Sequence, residues 1–370
     1  MSGQAYTLLA DLARTFARGR ARPPGASKNL ADGQAIRPYH LEMNRNVAIV
    51  GAGVSGLTCG VMLAERGCRT TIFAKESGQQ TTSGAAAALW FPYDAEPAEK
   101  VIPWALQTFD VFVDLARIPR SGVSMIELRQ FSRAGRIQIP DWAIPLGAQA
   151  VIPSFPSVMS SEVETSLAGS SSFFKSGFAL TVPLMDTTIY LDYVANRFVA
   201  AGGSIAADTH FERLEGVDRK FDLVINCAGI GARDLMQDRE LEPHRGQVAV
   251  VPRIERLSCA VVCDDAPLMY AIPRTNDCVF GGTNDLSSEL AVDPATTTRI
   301  VGECSHVLQI EKPSVLAARV GLRPFRKSGV RLERDRLRDG RTVIHNYGHG
   351  GSGFTLSWGC AREVVDFLAL

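Results

Sequence analysis

NVAIVGAGVSGLTCGVMLAERGCRTTIFA, residues 46–74, is the stretch whose reading decides the fold. An apolar run from Val47 to Val50 enters Gly51-Ala52-Gly53-Val54-Ser55-Gly56, a helix-like stretch continues through Arg66, and a second apolar run covers Thr70 to Ala74. Strand, tight glycine turn, helix and strand, in that order, form the setting in which such a glycine triplet binds a dinucleotide. Gly51 permits the turn, Gly53 lets the backbone approach a pyrophosphate, and Gly56 lets helix and strand pack closely. The helix start at Val54 and Ser55 offers unpaired N–H groups and a positive dipole end to the phosphates. An ADP-containing cofactor is the expectation, against a coincidental glycine-rich turn. The motif by itself does not separate NAD from FAD. The acid that should end the second strand and hold a ribose hydroxyl is missing at Ala74, so Glu76, after Lys75, is the residue left for that task.

Composition narrows the rest. With 46% apolar and 21% charged residues, the 370-residue chain reads as a globular protein with a sizeable core, long enough for two domains. Lysine plus arginine equal aspartate plus glutamate at 39 each, so charge points to neither nucleic acid nor an anionic membrane surface. No apolar stretch approaches the length of a membrane span. Eight scattered cysteines without a CxxC pair read as reduced core thiols. His345 and His349 are four apart, but on a strand-to-loop segment without an accompanying carboxylate motif, and no metal is expected there. The first 45 residues read as an extension, with a short helix over 6–17 and a basic linker after it.

Further along, TTSGAAAALWFPY (81–93) is a small-residue loop. A helix is predicted around 103–117, then short strands broken by proline and serine up to Phe174, then a helix from Thr187-Thr188 to Ala201. FDLVINCA (221–228) is a buried strand ending in Gly229-Ile230-Gly231, a second approach to the cofactor. Residues 247–285 alternate as antiparallel strands, a helix covers roughly 295–309, and a strand at 342–347, a glycine loop and a helix from Thr355 to Leu368 close the chain.

The fingerprint, TTSGAAAALWFPY, VINCAGIGARDL with the later HRGQ (244–247), VGLRPFR (320–326) and HNYGHGGSGFTLSWG (345–359) together resemble the D-amino-acid oxidase family, flavoenzymes of the D-amino-acid and D-aspartate oxidase type. The resemblance covers essentially everything from Asn46 onward. It implies an α/β fold in which a discontinuous Rossmann-like FAD-binding domain (46–95, 181–246 and 331–370) alternates with a strand-rich antiparallel α+β substrate domain (96–180 and 247–330). It also implies that Gly51, Gly53 and Gly56 form the pyrophosphate loop of noncovalent FAD, with Lys75 and Glu76 at the ribose. Thr81, Thr82 and Ser83 match hydroxyl residues beside the pyrophosphate, while Ala88 and Leu89 line the flavin. Gly351, Gly353, Phe354 and Thr355 match the loop at the pyrimidine side of the isoalloxazine. A helix starting near Thr355 would stabilise the anionic reduced ring.

For the substrate, the resemblance makes Arg323 the carboxylate clamp, a bidentate task suited to guanidinium, with Tyr270 reaching the same carboxylate. Two positions depart from relatives: Ala266 falls where several carry an aromatic on an active-site lid, and Ser352 replaces a bulkier residue. Both are expected at the substrate pocket, although Asp264, Asp265 and Pro267 around Ala266 read equally as a solvated hairpin turn. The implied reaction converts a D-amino acid and dioxygen to a 2-oxo acid, ammonia and hydrogen peroxide, the alternative being oxidation of glycine or a secondary or cyclic amine. A nicotinamide-dependent dehydrogenase and a catalytically silent flavin-fold protein are the other classes; the C-terminal loop argues against the first, and Arg323 with Tyr270 against the second. A homodimer is the default assembly, and a C-terminus of DFLAL rather than a peroxisomal tripeptide points to a cytoplasmic setting.

Overall fold

The computed structural model describes residues 45–152 and 173–369; the helix expected over 6–17 and the linker after it lie outside the described residues. Two sheets organise the chain. The first has six strands in the order β14 (Arg331–Arg336), β15 (Thr342–Tyr347), β7 (Leu223–Asn226), β1 (Asn46–Val50), β2 (Arg69–Phe73) and β6 (Ser204–Ala206). All of its pairs are parallel except β14 with β15. Its central strands, NVAIV and LVIN, are continuous apolar runs because helices cover both faces of a parallel sheet.

Helix α1 (Val54–Ala64) follows β1 and is buried at ten of its eleven residues. It packs against β2, against α4 (Thr187–Ala200) and against the C-terminal α7 (Gly353–Ala369), which in turn packs on α3 (Ala98–Leu115). The predicted helix at 103–117 begins earlier, at Ala98, with Pro103 inside it rather than at its start.

The second sheet has nine strands. Its path runs β12 (Asp285–Leu286), β8 (Leu241–Pro252), β11 (Asp277–Gly281), β10 (Met269–Pro273), β9 (Ala260–Cys263), β3 (Val123–Ser132), β5 (Ser176–Met185) and β4 (Gln149–Val151), with β13 (Ala317–Arg326) on the other side of β8. The antiparallel reading holds for every pair but one: β3 and β9 run parallel, with Gln130 opposite Val262. The VGLRPFR motif sits on β13, a ten-residue strand paired along its length with β8. After the one-turn α5 (Ala232–Leu235), helix α6 (Pro294–Leu308) covers this sheet, capped by Asp293, whose carboxylate accepts from the N–H groups of Ala295 and Thr296. No helix among the described residues is long and apolar enough to cross a membrane. All eight cysteines are free, buried thiols.

Candidate active site

The two sheets share a cavity of about 840 Å³, toward the upper end of the ~300–1,000 Å³ usual for small-molecule sites. The first sheet contributes the glycine turn. Gly51 has φ +110°, and a Cβ there would stand 2.3 Å from the carbonyl oxygen of Cys227, the residue after β7, so only glycine fits. A Cβ on Gly56 would meet the carbonyl of Gly51 at 1.9 Å, which keeps α1 tight on the turn. Gly51, Gly53, Val54 and Ser55 face the cavity, whereas Gly56 acts behind the turn.

The N-terminus of α1 carries no side-chain cap of its own at Gly53. Instead Ser83 Oγ reaches over and accepts from Val54 N–H at 3.0 Å, and the other first-turn N–H groups lack intrahelical acceptors. Short helix α2 (Thr82–Ala85) carries this serine. Thr81 caps α2 by accepting from Gly84 N–H at 3.1 Å, and Thr82 Oγ1 donates to Leu322 O at 3.3 Å. All three hydroxyl residues border the cavity while holding the cradle itself together. Lys75 and Glu76 line it beside Thr209 to Glu212, where Thr209 N–H donates to Ala74 O, and Gly229 to Gly231 border it as well. Ala88, in the left-handed region at φ 58°, and Leu89 also line it.

Near the opposite end, α7 begins with its N-terminus at the cavity, where Gly350, Gly351, Gly353 and Phe354 form the wall. Thr355 does not reach it. The helix starts two residues before the expected position, and Thr355, buried inside the first turn, accepts from Phe91 N–H at 3.1 Å and donates to Phe91 O at 3.0 Å. Ser352 is also displaced from its expected role: fully buried, its hydroxyl accepts from Tyr93 N–H at 2.7 Å and donates to Tyr93 O at 2.5 Å. Both residues fasten the Phe91–Tyr93 segment to the glycine loop, and Tyr93 is the ring that lines the cavity.

The second sheet supplies a polar wall by simple period-2 alternation. Gln130 on β3, Val262 on β9 and Tyr270 on β10 stand in one cross-strand row, with Gly281 on β11 next to Tyr270. Leu128 and Ile272 also face the cavity, two residues along on their strands. The Tyr270 ring lies where a Cβ of Gly281 would be, 2.0 Å from Cζ, and the Arg323 guanidinium lies 2.5 Å from where a Cβ of Gly246 would be. Glycines on neighbouring strands thus make room for both large polar groups. Arg323 Nη1 donates to Thr283 O at 2.9 Å and to Asn284 Oδ1 at 3.2 Å. Asn284 Nδ2 in turn donates to the Tyr93 hydroxyl at 3.2 Å. Burial pushes the Tyr270 phenol up, opposed by the adjacent Arg323 charge, so it stays a neutral hydrogen-bond donor.

Ala266 lies outside the cavity, exposed on the five-residue β9–β10 turn. The turn is too short to carry a lid; Asp264 and Leu268, at its two ends, are the residues that face inward. Sequence reasoning therefore missed Tyr93, Gln130, Asp264 and Asn284. Tyr93 was within reach, as the last residue of a quoted motif, and the paired glycines of FGG (280–282) were a signal for a bulky neighbour.

Residues 46–367 match the FAD dependent oxidoreductase family. The chain belongs to that family. Among curated relatives, the D-amino-acid oxidase of Rubrobacter xylanophilus is 38% identical over 323 residues, 86% of this chain and 94% of the relative. That of Streptomyces coelicolor is 37% identical over 329 residues, 88% and 97% of the two chains. Among solved structures, glycine oxidase from Geobacillus kaustophilus superposes with a TM-score of 0.71 at 18% identity, covering 88% of this chain and 95% of that one, a likeness of fold.

The residues present fit the FAD of this oxidoreductase family. A glycine turn that tolerates no Cβ and a helix end without its own cap suit a pyrophosphate. The α7 N-terminus at the far wall suits an anionic ring edge, an effect of about 0.3–1 kcal/mol at exposed sites and up to about 2 when partly buried.

His349 also borders the cavity, its Nε2 2.9 Å from Asn346 Oδ1. Burial holds His345 and His349 down at about 4, below the ordinary 6.5. Both imidazoles are neutral in the fold, whereas the unfolded chain takes up protons as pH falls through 6.5. The unfolded state then binds more protons, so stability should drop between about pH 6.5 and 4, by up to roughly 3 kcal/mol per histidine. Melting followed by flavin fluorescence should show this slope, and His349→Gln should flatten it. An unchanged slope in that variant would remove His349 as a cause.

Proposed function

We propose that this FAD-dependent oxidoreductase oxidises a D-amino acid, with dioxygen and water, to a 2-oxo acid, ammonia and hydrogen peroxide. The observation that carries the reading is the pairing of Arg323 and Tyr270 on one wall of the cavity, each accommodated by a glycine on a neighbouring strand. A guanidinium and a neutral phenol together are suited to one α-carboxylate. The relatives named D-amino-acid oxidase support this substrate class. FAD held by the glycine turn and the α1 and α7 N-termini would supply the hydride acceptor, with dioxygen as the final oxidant.

The protein's part is orientation and field. Arg323, steadied by Thr283 O and Asn284, holds the carboxylate and so fixes which bond at Cα points toward the cofactor. Apolar Leu128, Val262, Ile272 and Leu268 keep water from the reacting carbon. Loss of an amine proton and of the Cα hydrogen as hydride yields an imino acid, which water hydrolyses. A general base beyond the amine's own proton loss is not needed.

The cofactor is proposed to be noncovalent. Cys227 borders the cavity, but its hydrogen bond with Cys59 and its burial push the thiol well above its ordinary range, so it is a poor nucleophile. Flavin should leave with the supernatant when the holoprotein is acid-precipitated; flavin retained on the polypeptide would contradict this. The function itself is tested by peroxide release from purified holoenzyme with D-amino acids, glycine and secondary amines side by side. D-amino acids should give the higher kcat/KM. Turnover of glycine or a secondary amine with none of any D-amino acid would replace this reading with the specialised amine oxidase.

A further inference from the structure

Asp264 and Asp265 are adjacent in sequence and opposite in environment. Asp265 is used up by structure: its Oδ2 accepts from Ser132 Oγ at 2.8 Å, Arg133 N–H at 2.6 Å and Ala134 N–H at 3.0 Å. Asp264 faces the cavity. Its Oδ2 accepts a single neutral hydrogen bond, from Gln130 Nε2 at 2.9 Å. Arg133, the cation of this corner, is engaged by Glu303 at 2.6 Å and by the carbonyls of Asp265 and Pro267. Among the described residues, then, Asp264 has no cationic partner. Asp264 is an exposed residue at the edge of the cavity, and partial desolvation of its carboxyl there raises its pKa.

Position gives the charge its meaning. Asp264 follows Val262 by two residues on the cavity face, one row beyond Tyr270, about 7 Å along the strand direction. One end of this wall therefore holds a cationic clamp for a carboxylate. A carboxylate without a counter-ion stands a side-chain length away.

We propose that Asp264 is a specificity residue that selects D-amino acids carrying a cationic side chain, an amine or guanidinium, by accepting that group while Arg323 holds the α-carboxylate. The proposal rests on the oxidase reading above. Gln130 orients the acid and leaves its other oxygen for the ligand. Acidic side chains are repelled at the same place, and uncharged ones leave the carboxylate unpaired. A charge pair to an exposed carboxylate is worth up to about 1 kcal/mol, or roughly fivefold.

The experiment compares kcat/KM for D-lysine and D-norleucine, side chains of equal carbon count with and without the charge, in wild-type and Asp264→Asn holoenzymes. Asparagine keeps an oxygen to accept from Gln130, and flavin absorbance and melting temperature check that the fold is retained. The D-lysine to D-norleucine ratio should fall about three- to fivefold in Asp264→Asn, with D-norleucine changed less than about 1.5-fold, and Asp264→Glu should recover part of it. A ratio that does not move, or an equal loss for both substrates, overturns the proposal while leaving the oxidase reading in place. Oxidation of neither D-amino acid by the wild type, with glycine or a secondary amine turned over instead, overturns the oxidase reading and the proposal with it.

Discussion

Replacing Arg323 with alanine should cut kcat/KM for the best D-amino acid by roughly 30- to 5000-fold while FAD remains bound. Truncating one member of a desolvated charge pair costs about 2–5 kcal/mol, because the substrate carboxylate is left without its partner. The loss should show mainly in KM, since the guanidinium binds the carboxylate before and during hydride loss alike. Arg323→Lys should recover only part of it, because a single ammonium cannot keep Thr283 O and Asn284 Oδ1 while making a two-point contact with the substrate. Steady-state kinetics with a flavin absorbance check decides the matter. Normal saturation by the same substrate in Arg323→Ala would take the clamp away from this residue.

The second large effect is expected at the glycine turn. Gly51→Ala places a Cβ 2.3 Å from the Cys227 carbonyl and forces a side chain into φ +110°. Overpacking of about 1–3 kcal/mol and left-handed strain of about 1–2 kcal/mol add up to a cost on the order of 2–5 kcal/mol. Borne by the cofactor site, that is about 30- to 5000-fold in FAD affinity. Gly229, also at positive φ but with open space where its Cβ would be, provides the comparison: Gly229→Ala carries the strain without the clash and should lose less. Titration of the apoproteins with FAD, read by flavin fluorescence, measures both. A Gly51→Ala protein that binds FAD as the wild type does would refute the assigned turn.

How much of this was legible in the sequence depended on how local each cause is. The β1–α1–β2 unit could be read because its constraints act within a few residues: a turn that only Gly51 can make, and apolar runs of the right length on either side. Strand β13 was not read as a strand. Its motif contains two arginines and a proline, and what makes it extended is β8, whose Val250 pairs with Ala317 across a long stretch of chain. The early start of α3 was hidden by Pro103, which reads as a helix beginning but lies inside the helix. Ser352 ends the glycine loop and Thr355 lies in the first turn of α7, yet a hydroxyl in a motif does not say which way it points; here both turn inward to hold the Phe91–Tyr93 backbone. At Ala266 the resemblance pointed to a substrate-pocket position lacking the relatives' lid aromatic, while Pro267 and the two acids pointed equally to a solvated turn; the chain makes a five-residue turn with Ala266 outside the cavity. Gln130 and Asp264 carried no local signal at all. They meet only because β3 runs parallel beside β9, a pairing that sequence alternation does not specify.

The most direct measurement is anaerobic mixing of the holoenzyme with the two enantiomers of one amino acid, followed at the flavin absorbance band. If Arg323 and Tyr270 fix the carboxylate and thereby the face of Cα turned to the cofactor, the D-enantiomer should bleach the band and the L-enantiomer should leave it unchanged. Bleaching by the L-enantiomer, or by neither, would contradict the assignment.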